Sequence, residues 1–277
     1  MAFPKGDKII IKADVAPGDK GPACDFLASR SGLPKGRIKD AMNKGAVRIK
    51  RKRGGFNRLR RATATLFPGD RIELYYDEKL LSLKPPEATC IRDLKHYSVW
   101  DKPAGLVAQG TEYGDHCSLM RRAELYFAPQ REVFLVHRLD REAAGLMLIA
   151  HSGDAASKLS ALFAGNNIIK KYRVEVLGDL GGKDGSGVID LPLDGKPSVT
   201  EYNVLSYSIE SNISTVNAVI RTGRLHQIRR HFDLIGFPVM GDPKYGKGNK
   251  NAEGMKLAAV SLKFFCPFQN REMEFTI

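Results

Sequence analysis

The chain has few cysteines and no long apolar run. Its 277 residues include four cysteines, and no two of them form a Cys-x-x-Cys pair. This scarcity argues against a disulfide framework, and the residues after Met1 lack the apolar core of a secretory signal. No apolar stretch approaches the roughly 18 residues that a membrane-spanning helix needs. We therefore expect a cytoplasmic protein with free thiols and no membrane association.

The common patterns of metal and nucleotide sites are also missing. His226 and His231 are five residues apart, whereas two metal ligands on one helix face are four apart. Residues 241–247 have the spacing of a phosphate-binding loop, but Gly248 replaces the required Ser or Thr. Pro243 also removes one backbone donor from such a loop. The sequence therefore predicts neither a metal site nor a cofactor.

Acidic residues are scarce in the first third of the chain. Residues 1–84 hold 20 Lys and Arg against 9 Asp and Glu, whereas the remaining residues hold 24 against 22. A basic segment attached to a near-neutral body is typical of a polyanion-binding module. The Pro-Pro pair at residues 85–86 stiffens the chain and marks the best candidate linker. We expect one domain over residues 1–82, a linker over 83–94 and a second domain over 95–277.

The first domain has the pattern of two short helices beside a small sheet. Apolar residues recur at helical spacing between residues 22 and 43. Leu33-Pro34 separates the two helices because proline disfavours helix in the residue before it. Gly45 is predicted to end the second helix. Alternating apolar and polar residues predict strands near residues 8–12, 47–50 and 70–75.

This arrangement resembles the alpha-L RNA-binding domain first described in a small-subunit ribosomal protein. The matching features are the turns at residues 29–31, 45–47 and 68–70. The resemblance implies RNA binding by the basic residues of the second helix, its turn and the next strand. The predicted phosphate contacts are Lys35, Arg37, Lys39, Lys44, Arg48, Lys50, Arg51, Lys52 and Arg53. A solvated surface loop is the alternative interpretation of residues 51–61.

Strands outnumber helices in the second domain. Residues 168–176 alternate, with Tyr172 and Val174 on one face, as expected of a half-buried strand. Ser152 is placed to start a helix that Gly165 ends. Because no regular strand-helix-strand rhythm appears, we predict an α+β fold. It would consist of a mixed, mainly antiparallel sheet with flanking helices, plus the small N-terminal α+β domain.

Four blocks of the second domain carry candidate chemistry. Asp140 ends the run Val136-His137-Arg138-Leu139-Asp140, directly ahead of an apolar stretch at residues 145–150 that predicts a buried strand. A carboxylate held at the mouth of a buried sheet can act as a nucleophile, although an Asp that caps a turn has the same pattern. The other blocks are Lys171-Tyr172, residues 221–229 and Gly241-Asp242.

In this order, the blocks resemble the RluA-type pseudouridine synthases, which isomerise uridine within structured RNA. The resemblance covers roughly residues 95–277 and includes the Lys-Pro-x-Gly corner at residues 102–105. It implies a reaction that breaks the N-glycosidic bond, rotates the uracil and rejoins it through carbon. Such a reaction needs no metal or redox cofactor. The target base must leave its helix, which has a cost in lost stacking.

The resemblance also implies roles for single residues. Asp140 is the implied nucleophile, attacking either the ribose or the uracil ring, and Arg229 is its implied cationic partner. Such a partner offsets the rise that burial causes in the pKa of a carboxyl group. Tyr172 is implied to pack on the target uracil and to accept a proton, although a core tyrosine fits its strand face equally well. Arg138 is implied to fill the gap that the flipped base leaves.

Three further residues are predicted to contact the substrate: His137, Arg224 and His226. Leu225, Ile228 and Phe232 are at helical spacing, so they predict a short helix that all three residues anchor. His226 would lie on an adjoining face of this helix. One departure from the family pattern is Ala143-Ala144, which stands where Thr-Ser is usual. The loss of these two hydroxyls would lower activity only if they orient the nucleophile.

We therefore predict a monomeric RNA pseudouridine synthase. By analogy, an attached RNA-binding domain favours large ribosomal RNA over transfer RNA as the substrate. The alternative is a catalytically silent RNA-binding or ribosome-assembly factor that kept the same fold. The Ala143-Ala144 departure motivates this alternative.

Overall fold

The structure, a computed structural model, describes residues 8–19, 21–181 and 185–277 and divides into two compact units. The first comprises the described residues up to Pro85 together with Gln109–Arg122. The second comprises Pro86–Ala108 and the described residues of Ala123–Ile277. Gln109–Arg122 thus belongs with the first unit, although its place in the sequence lies within the predicted second domain. No helix in the described part of the chain is long and apolar enough to cross a membrane.

The first unit combines a four-stranded antiparallel sheet with two main helices. Its elements are β1 (Lys8–Asp14), α1 (Ala23–Ser31), α2 (Lys35–Asn43), β2 (Val47–Lys50), β3 (Phe56–Arg58), β4 (Arg71–Asp77) and α3 (Glu78–Leu81). The strand order is β1-β4-β2-β3. Leu27, Ile38 and Leu74 are fully buried in one shared core. Gly45, with a φ of 80°, follows α2 in the left-handed conformation expected of its predicted role.

Asp115 connects the segment Gln109–Arg122 to the rest of the first unit. Its Oδ2 accepts a hydrogen bond from Arg60 at 2.5 Å and lies 3.1 Å from the Nε of Arg58. Its backbone N–H donates to the carbonyl of Lys44 at 2.9 Å. Two guanidinium groups are therefore paired with a carboxylate inside this unit.

The second unit is built on a ten-stranded mixed sheet. Its elements are β5 (Thr89–Asp93), β6 (Tyr97–Lys102), α4 (Leu119–Tyr126, which begins in the first unit), β7 (Phe134–Leu135), β8 (Ala144–Ala150), α5 (Gly153–Ala164), β9 (Ile168–Leu177), β10 (Ser186–Asp190), β11 (Val199–Ser208), β12 (Ile213–Ile220), α6 (Gln227–Leu234), β13 (Leu257–Cys266) and β14 (Arg271–Thr276). The main path runs β10-β11-β12-β9-β13-β8-β6-β5, with β14 on β13 and β7 on β8. Among these described strands, only β8 and β13 pair in parallel. The predicted α+β class with a mainly antiparallel sheet is confirmed.

Local sequence explains the elements that surround the later site. In β9, buried and exposed residues alternate, and Tyr172 and Val174 share the buried face as predicted. The hydroxyl of Ser152 caps α5 by accepting from the N–H of Ala155 at 3.1 Å, and Gly165 ends this helix. Both predicted bounds of α5 are confirmed.

Gly145 is required where β8 meets β13. Its φ is 108°, and a Cβ at this position would lie 2.3 Å from the carbonyl oxygen of Ala259. A side chain there would clash with the neighbouring backbone, so only glycine permits the parallel pairing of Gly145 with Ala259. This contact fixes the start of β8, a few residues after Asp140.

Candidate active site

Asp140 lies in the loop that precedes β8, and its side chain is 22% exposed. Nη1 of Arg229 donates a hydrogen bond to Oδ2 of Asp140 at 2.8 Å. The other carboxylate oxygen, Oδ1, lies 3.7 Å from Nε2 of His226. The structure therefore brings Asp140, His226 and Arg229 together. They come from two motif blocks, and Asp140 and Arg229 are 89 positions apart in sequence.

Asp242 holds Arg229 from the opposite side. Nε of Arg229 donates to Oδ2 of Asp242 at 2.6 Å, and Nη2 donates to Oδ1 at 2.8 Å. The fully buried Asp242 also accepts from the backbone N–H groups of Lys244 and Tyr245 at 2.8 and 3.0 Å. A bidentate pair of this kind fixes the plane of the guanidinium group. Arg229 therefore presents only its remaining edge to Asp140.

The charges of this pair are retained in the folded state. Burial works to raise the pKa of Asp242, but the hydrogen bonds from Arg229 and from the backbone outweigh it and lower that pKa. Burial likewise works to lower the pKa of Arg229, and the hydrogen bonds to Asp242 and Asp140 raise it above its ordinary value. The sequence marks Asp242 only as a motif residue, and its pairing with Arg229 becomes evident in the structure.

His226 adopts the left-handed conformation, with a φ of 52°, immediately before α6. Its Nδ1 is 3.0 Å from the hydroxyl of Tyr245. Burial lowers the pKa of His226, and the nearby charge of Asp140 opposes that shift. A neutral imidazole therefore faces Asp140 near neutral pH.

The helix after His226 differs from the prediction in one respect. Ile228 and Phe232 are buried and anchor α6 as predicted, but Leu225 is 62% exposed and precedes the helix. The prediction for Leu225 is wrong because the left-handed turn at His226 interrupts the helical period.

Gln227 organises this turn. Its Oε1 accepts from the hydroxyl of Thr222 at 2.7 Å and from the N–H of Arg224 at 3.1 Å, and its Nε2 donates to the carbonyl of Val199 at 2.9 Å. The buried amide thereby fixes the loop between β12 and α6.

Tyr172 lines the same cavity as Asp140, Arg224 and Arg229, and the cavity encloses about 300 Å³. The tyrosine is 8% exposed, and its hydroxyl has no hydrogen-bond partner among the described residues. Burial raises the pKa of Tyr172, and the charge of Asp140 raises it further. The phenol therefore remains protonated, and its ring faces the carboxylate-bearing cavity from a rigid strand.

Two arginines flank the mouth of this cavity. Arg138 is exposed and has neither a hydrogen bond nor an ion pair within the described ranges. Arg224 donates from Nε and Nη2 to the carbonyl of Pro197, both at 3.3 Å. Both predicted substrate contacts thus line the cavity, and the guanidinium of Arg138 is available to a ligand.

His137 is placed differently from the other predicted substrate contacts. Its ring stacks on Phe163 with centroids 4.1 Å apart, and its Nε2 accepts from the N–H of Leu148 at 2.9 Å. Burial, together with the charge of Lys170, lowers the pKa of His137 to about 3. His137 is not among the residues around Asp140, and it lines an adjoining cavity instead.

The side chain of Lys102 supports the loop that carries Asp140. Its fully buried Nζ donates to the carbonyl oxygens of Leu106 at 2.8 Å, Ala143 at 2.6 Å and Pro103 at 3.1 Å. Burial lowers the pKa of this ammonium group to about 8, against the opposing charge of Asp140. The Lys-Pro-x-Gly corner was predicted only as part of the family resemblance, and its sequence does not indicate this support. Ala143 contributes through its carbonyl, which the departure from Thr does not remove.

The basic residues of the first unit fall into two sets. Five of the nine predicted phosphate contacts form ion pairs: Lys35 with Asp25, Arg37 with Glu78, Lys44 with Asp40, Arg48 with Glu73 and Arg51 with Asp70. The other four have no ion pair in the part of the chain that the structure describes; this unpaired basic set is Lys39, Lys50, Lys52 and Arg53. The geometry therefore leaves the unpaired basic set most available to an anion.

Comparisons with known proteins identify the family. Residues 96–234 match the family model of RNA pseudouridylate synthases. The chain is 31% identical to an uncharacterized RNA pseudouridine synthase of Aquifex aeolicus, with 79% of each chain covered. It is 26% identical to the ribosomal large subunit pseudouridine synthase C of Vibrio cholerae, over 90% of this chain and 87% of the relative.

A solved structure shares the fold. The human protein named RNA pseudouridylate synthase domain containing 1 superposes with a TM-score of 0.59 at 20% identity, covering 70% of this chain and 86% of its own. The family model and the Aquifex relative carry the assignment, and the fold agrees with it. The chain belongs to the RNA pseudouridylate synthase family, and the prediction of an RluA-type pseudouridine synthase, an isomerase acting on RNA, is confirmed.

Proposed function

We propose that this pseudouridine synthase isomerises uridine in large-subunit ribosomal RNA and uses Asp140 as its nucleophile. The observation that carries the proposal is the hydrogen bond of 2.8 Å from Arg229 to Asp140 at the wall of a cavity of about 300 Å³. A cavity of this size lies at the lower end of the range for small-molecule sites, about 300–1,000 Å³. It accommodates one extruded base rather than a paired duplex.

The reaction rearranges the substrate without any net gain or loss of atoms. The carboxylate of Asp140 forms a covalent bond with either C1′ of the ribose or C6 of the uracil. The N1–C1′ bond breaks, the uracil rotates, and C5 bonds to C1′. The proton on C5 leaves to a base or to solvent, N1 gains a proton, and the bond to Asp140 breaks.

The two oxygens of Asp140 are inequivalent, which supports its assignment as the nucleophile. Oδ2 is engaged by Arg229, whereas Oδ1 is 3.7 Å from His226 and outside hydrogen-bond range. Oδ1 is therefore the oxygen free to attack. Arg229, itself fixed by Asp242, keeps the carboxylate oriented toward the cavity.

Tyr172 and Arg138 suit the two remaining tasks. The ring of Tyr172 offers a flat, buried surface to the uracil. Its hydroxyl stays protonated, since burial and the charge of Asp140 raise its pKa, and it is free to donate or accept a hydrogen bond. Arg138 is exposed at the cavity, and its planar guanidinium can replace part of the base stack that extraction removes. His226 and Arg224 complete the wall around the extruded base.

The choice of ribosomal RNA rests on similarity and on charge. The Vibrio cholerae relative is named a ribosomal large subunit pseudouridine synthase, and it spans both units of this chain. The first unit carries the unpaired basic set and resembles the alpha-L domain, so we propose that it binds the phosphate backbone of folded RNA. Lys52 and Arg53 then act as RNA contacts rather than as parts of a solvated loop.

The test uses RNA that carries tritium at C5 of uridine. Unmodified large-subunit ribosomal RNA and unmodified transfer RNA are incubated separately with the full chain, and tritium release is followed. We expect release from ribosomal RNA, its loss in Asp140→Asn, and its retention in Asp154→Asn, an exposed carboxylate on α5. Release from transfer RNA alone would contradict the assignment of ribosomal RNA as the substrate. Unchanged release by Asp140→Asn would overturn the nucleophile, and RNA binding without any pseudouridine would favour the silent alternative.

A further inference from the structure

A second cavity adjoins the one that holds Asp140. It encloses about 570 Å³ and shares Arg138, Tyr172 and Arg224 with the first cavity. Its other wall includes Lys170 of β9 and Phe163 of α5. The isomerisation described above uses none of the residues that are particular to this second cavity.

The charge of this cavity is of one sign. Arg138, Lys170 and Arg224 line it, and its described lining includes no carboxylate. Lys170 is only 5% exposed, and its ammonium group makes one hydrogen bond, to the carbonyl of Arg221 at 2.9 Å. An ammonium group has three N–H donors, so two remain for a ligand. Burial lowers the pKa of Lys170 to about 8, because keeping this ammonium group charged without an acidic partner is unfavourable, and an anion bound in the cavity would offset that cost.

Uncharged donors lie beside this cation. Because the N–H of Leu148 donates to Nε2 of His137, the imidazole carries its proton on Nδ1, and this N–H has no partner among the described residues. Ser160 and Asn166 add a hydroxyl and an amide to the same wall. The cavity thus combines cations with neutral hydrogen-bond donors, which is the chemistry that binds a phosphate and a sugar hydroxyl.

We propose that this second cavity binds the phosphodiester and ribose of a nucleotide next to the target uridine, with Lys170 as the phosphate contact. The proposal rests on the proposed function, since it takes the first cavity to hold the extruded uridine. Arg138 and Arg224, which both cavities share, then stand between the base and the neighbouring backbone. Lys170 positions the RNA strand and takes no part in bond making.

The test measures binding rather than turnover. The probe is a fluorescein-labelled decauridylate, and the dissociation constant is measured over a series of salt concentrations with the full chain. The variants are Lys170→Gln, Lys170→Arg and the matched control Lys171→Gln, whose lysine is the next residue of β9 and is exposed on the opposite strand face. Thermal unfolding of each variant reports whether the fold is kept.

We expect Lys170→Gln to bind roughly tenfold more weakly at low salt, as for the loss of one hydrogen bond between charged groups. The slope of log affinity against log salt should fall by about 0.7, the value for one phosphate contact on a single strand. Lys170→Arg should keep most of the slope, and Lys171→Gln should match the unsubstituted protein. An unchanged slope in Lys170→Gln, or an equal loss in Lys171→Gln, would overturn the proposal.

A second variant keeps the test decisive if Lys170→Gln does not fold. Ser160→Glu adds a carboxylate to the cavity wall while leaving Lys170 in place, and it should weaken binding and lower the slope in the same direction. Unchanged binding by a folded Ser160→Glu protein would overturn the proposal. Failure here is separable from failure of the proposed function. If the unsubstituted protein releases no tritium from any RNA, the proposed function is wrong, whatever the salt dependence of binding. If release is normal but the variants leave the salt slope unaltered, only the proposed role of the second cavity is wrong.

Discussion

Replacing Asp242 by Asn tests whether the buried pair with Arg229 organises the active site. The substitution keeps the shape of the side chain but removes its charge, leaving Arg229 with Asp140 as its remaining anionic partner. Breaking a buried ion pair by removing one partner costs about 3–5 kcal/mol of unfolding free energy. Because Arg229 retains one carboxylate, we expect the lower end, about 3 kcal/mol at neutral pH.

The pH dependence of this loss gives a second, independent signature. The pKa of Asp242 is lower in the folded protein than its ordinary value, since Arg229 and two backbone N–H groups outweigh the effect of burial. Its charge therefore stabilises the fold above the unfolded pKa of about 3.9, and this contribution is lost as the pH falls through the lower folded pKa. The difference between Asp242→Asn and the unsubstituted protein should therefore shrink on acidification.

Urea unfolding followed by circular dichroism measures both effects. It is performed on Asp242→Asn and on the control Asp194→Asn, which removes the exposed partner of the neighbouring Arg230 and should change stability far less. The rate of tritium release should fall together with stability in Asp242→Asn only, because Arg229 is no longer fixed in plane. A loss under about 1 kcal/mol at neutral pH, or a loss that is constant down to about pH 3, would refute the reasoning.

Three further predictions follow from the geometry. Lys102→Met leaves the carbonyl groups around the Asp140 loop without their donor. It should slow single-turnover tritium release on the order of tenfold to a hundredfold. A normal rate would show that other contacts hold the loop. Tyr172→Phe should keep the unfolding free energy within about 1 kcal/mol, because the hydroxyl of Tyr172 has no partner among the described residues. It should lower turnover. Full turnover would identify Tyr172 as a plain core residue. Replacing the whole unpaired basic set by Gln should lower the salt slope of RNA binding by about 3, at about 0.7 per contact. The control Lys35→Gln removes an ion-paired lysine and should leave the slope unchanged. Equal effects per residue would refute the division into two sets.

The sequence was sufficient for the fold class and for the central pairing. Alternation along residues 168–176 and the apolar run at 145–150 predict strands that the structure contains as β9 and β8. The hydrogen bond between Asp140 and Arg229 was anticipated from the family resemblance, not from spacing. Motif order carries such long-range information, whereas periodicity reports only on neighbours within one element.

Long-range polar contacts account for what sequence reasoning missed. Asp242 and Lys102 each act through partners in other segments, and nothing in their local patterns names those partners. His137 was predicted to contact the substrate together with its motif neighbours, but its ring stacks on Phe163 and lines the second cavity rather than the one that holds Asp140. The failed prediction for Leu225 has a local cause, a left-handed residue that helical spacing cannot reveal.

The domain division is a further case of this kind. The segment Gln109–Arg122 lies between strands of the second unit in sequence, yet its Asp115 is bonded to Arg58 and Arg60 of the first unit. Charge counting treated these arginines as part of a basic surplus. Their pairing with a carboxylate some 55 residues away is a tertiary contact that composition does not show.

The most direct test of the account separates binding from chemistry at Asp140. RNA affinity and single-turnover tritium release are measured in parallel for the unsubstituted protein and for Asp140→Asn. We expect Asp140→Asn to bind ribosomal RNA within about threefold of the unsubstituted affinity and to release no tritium, because the side chain keeps its shape and loses its nucleophilic charge. Tritium release by Asp140→Asn at the unsubstituted rate would contradict it.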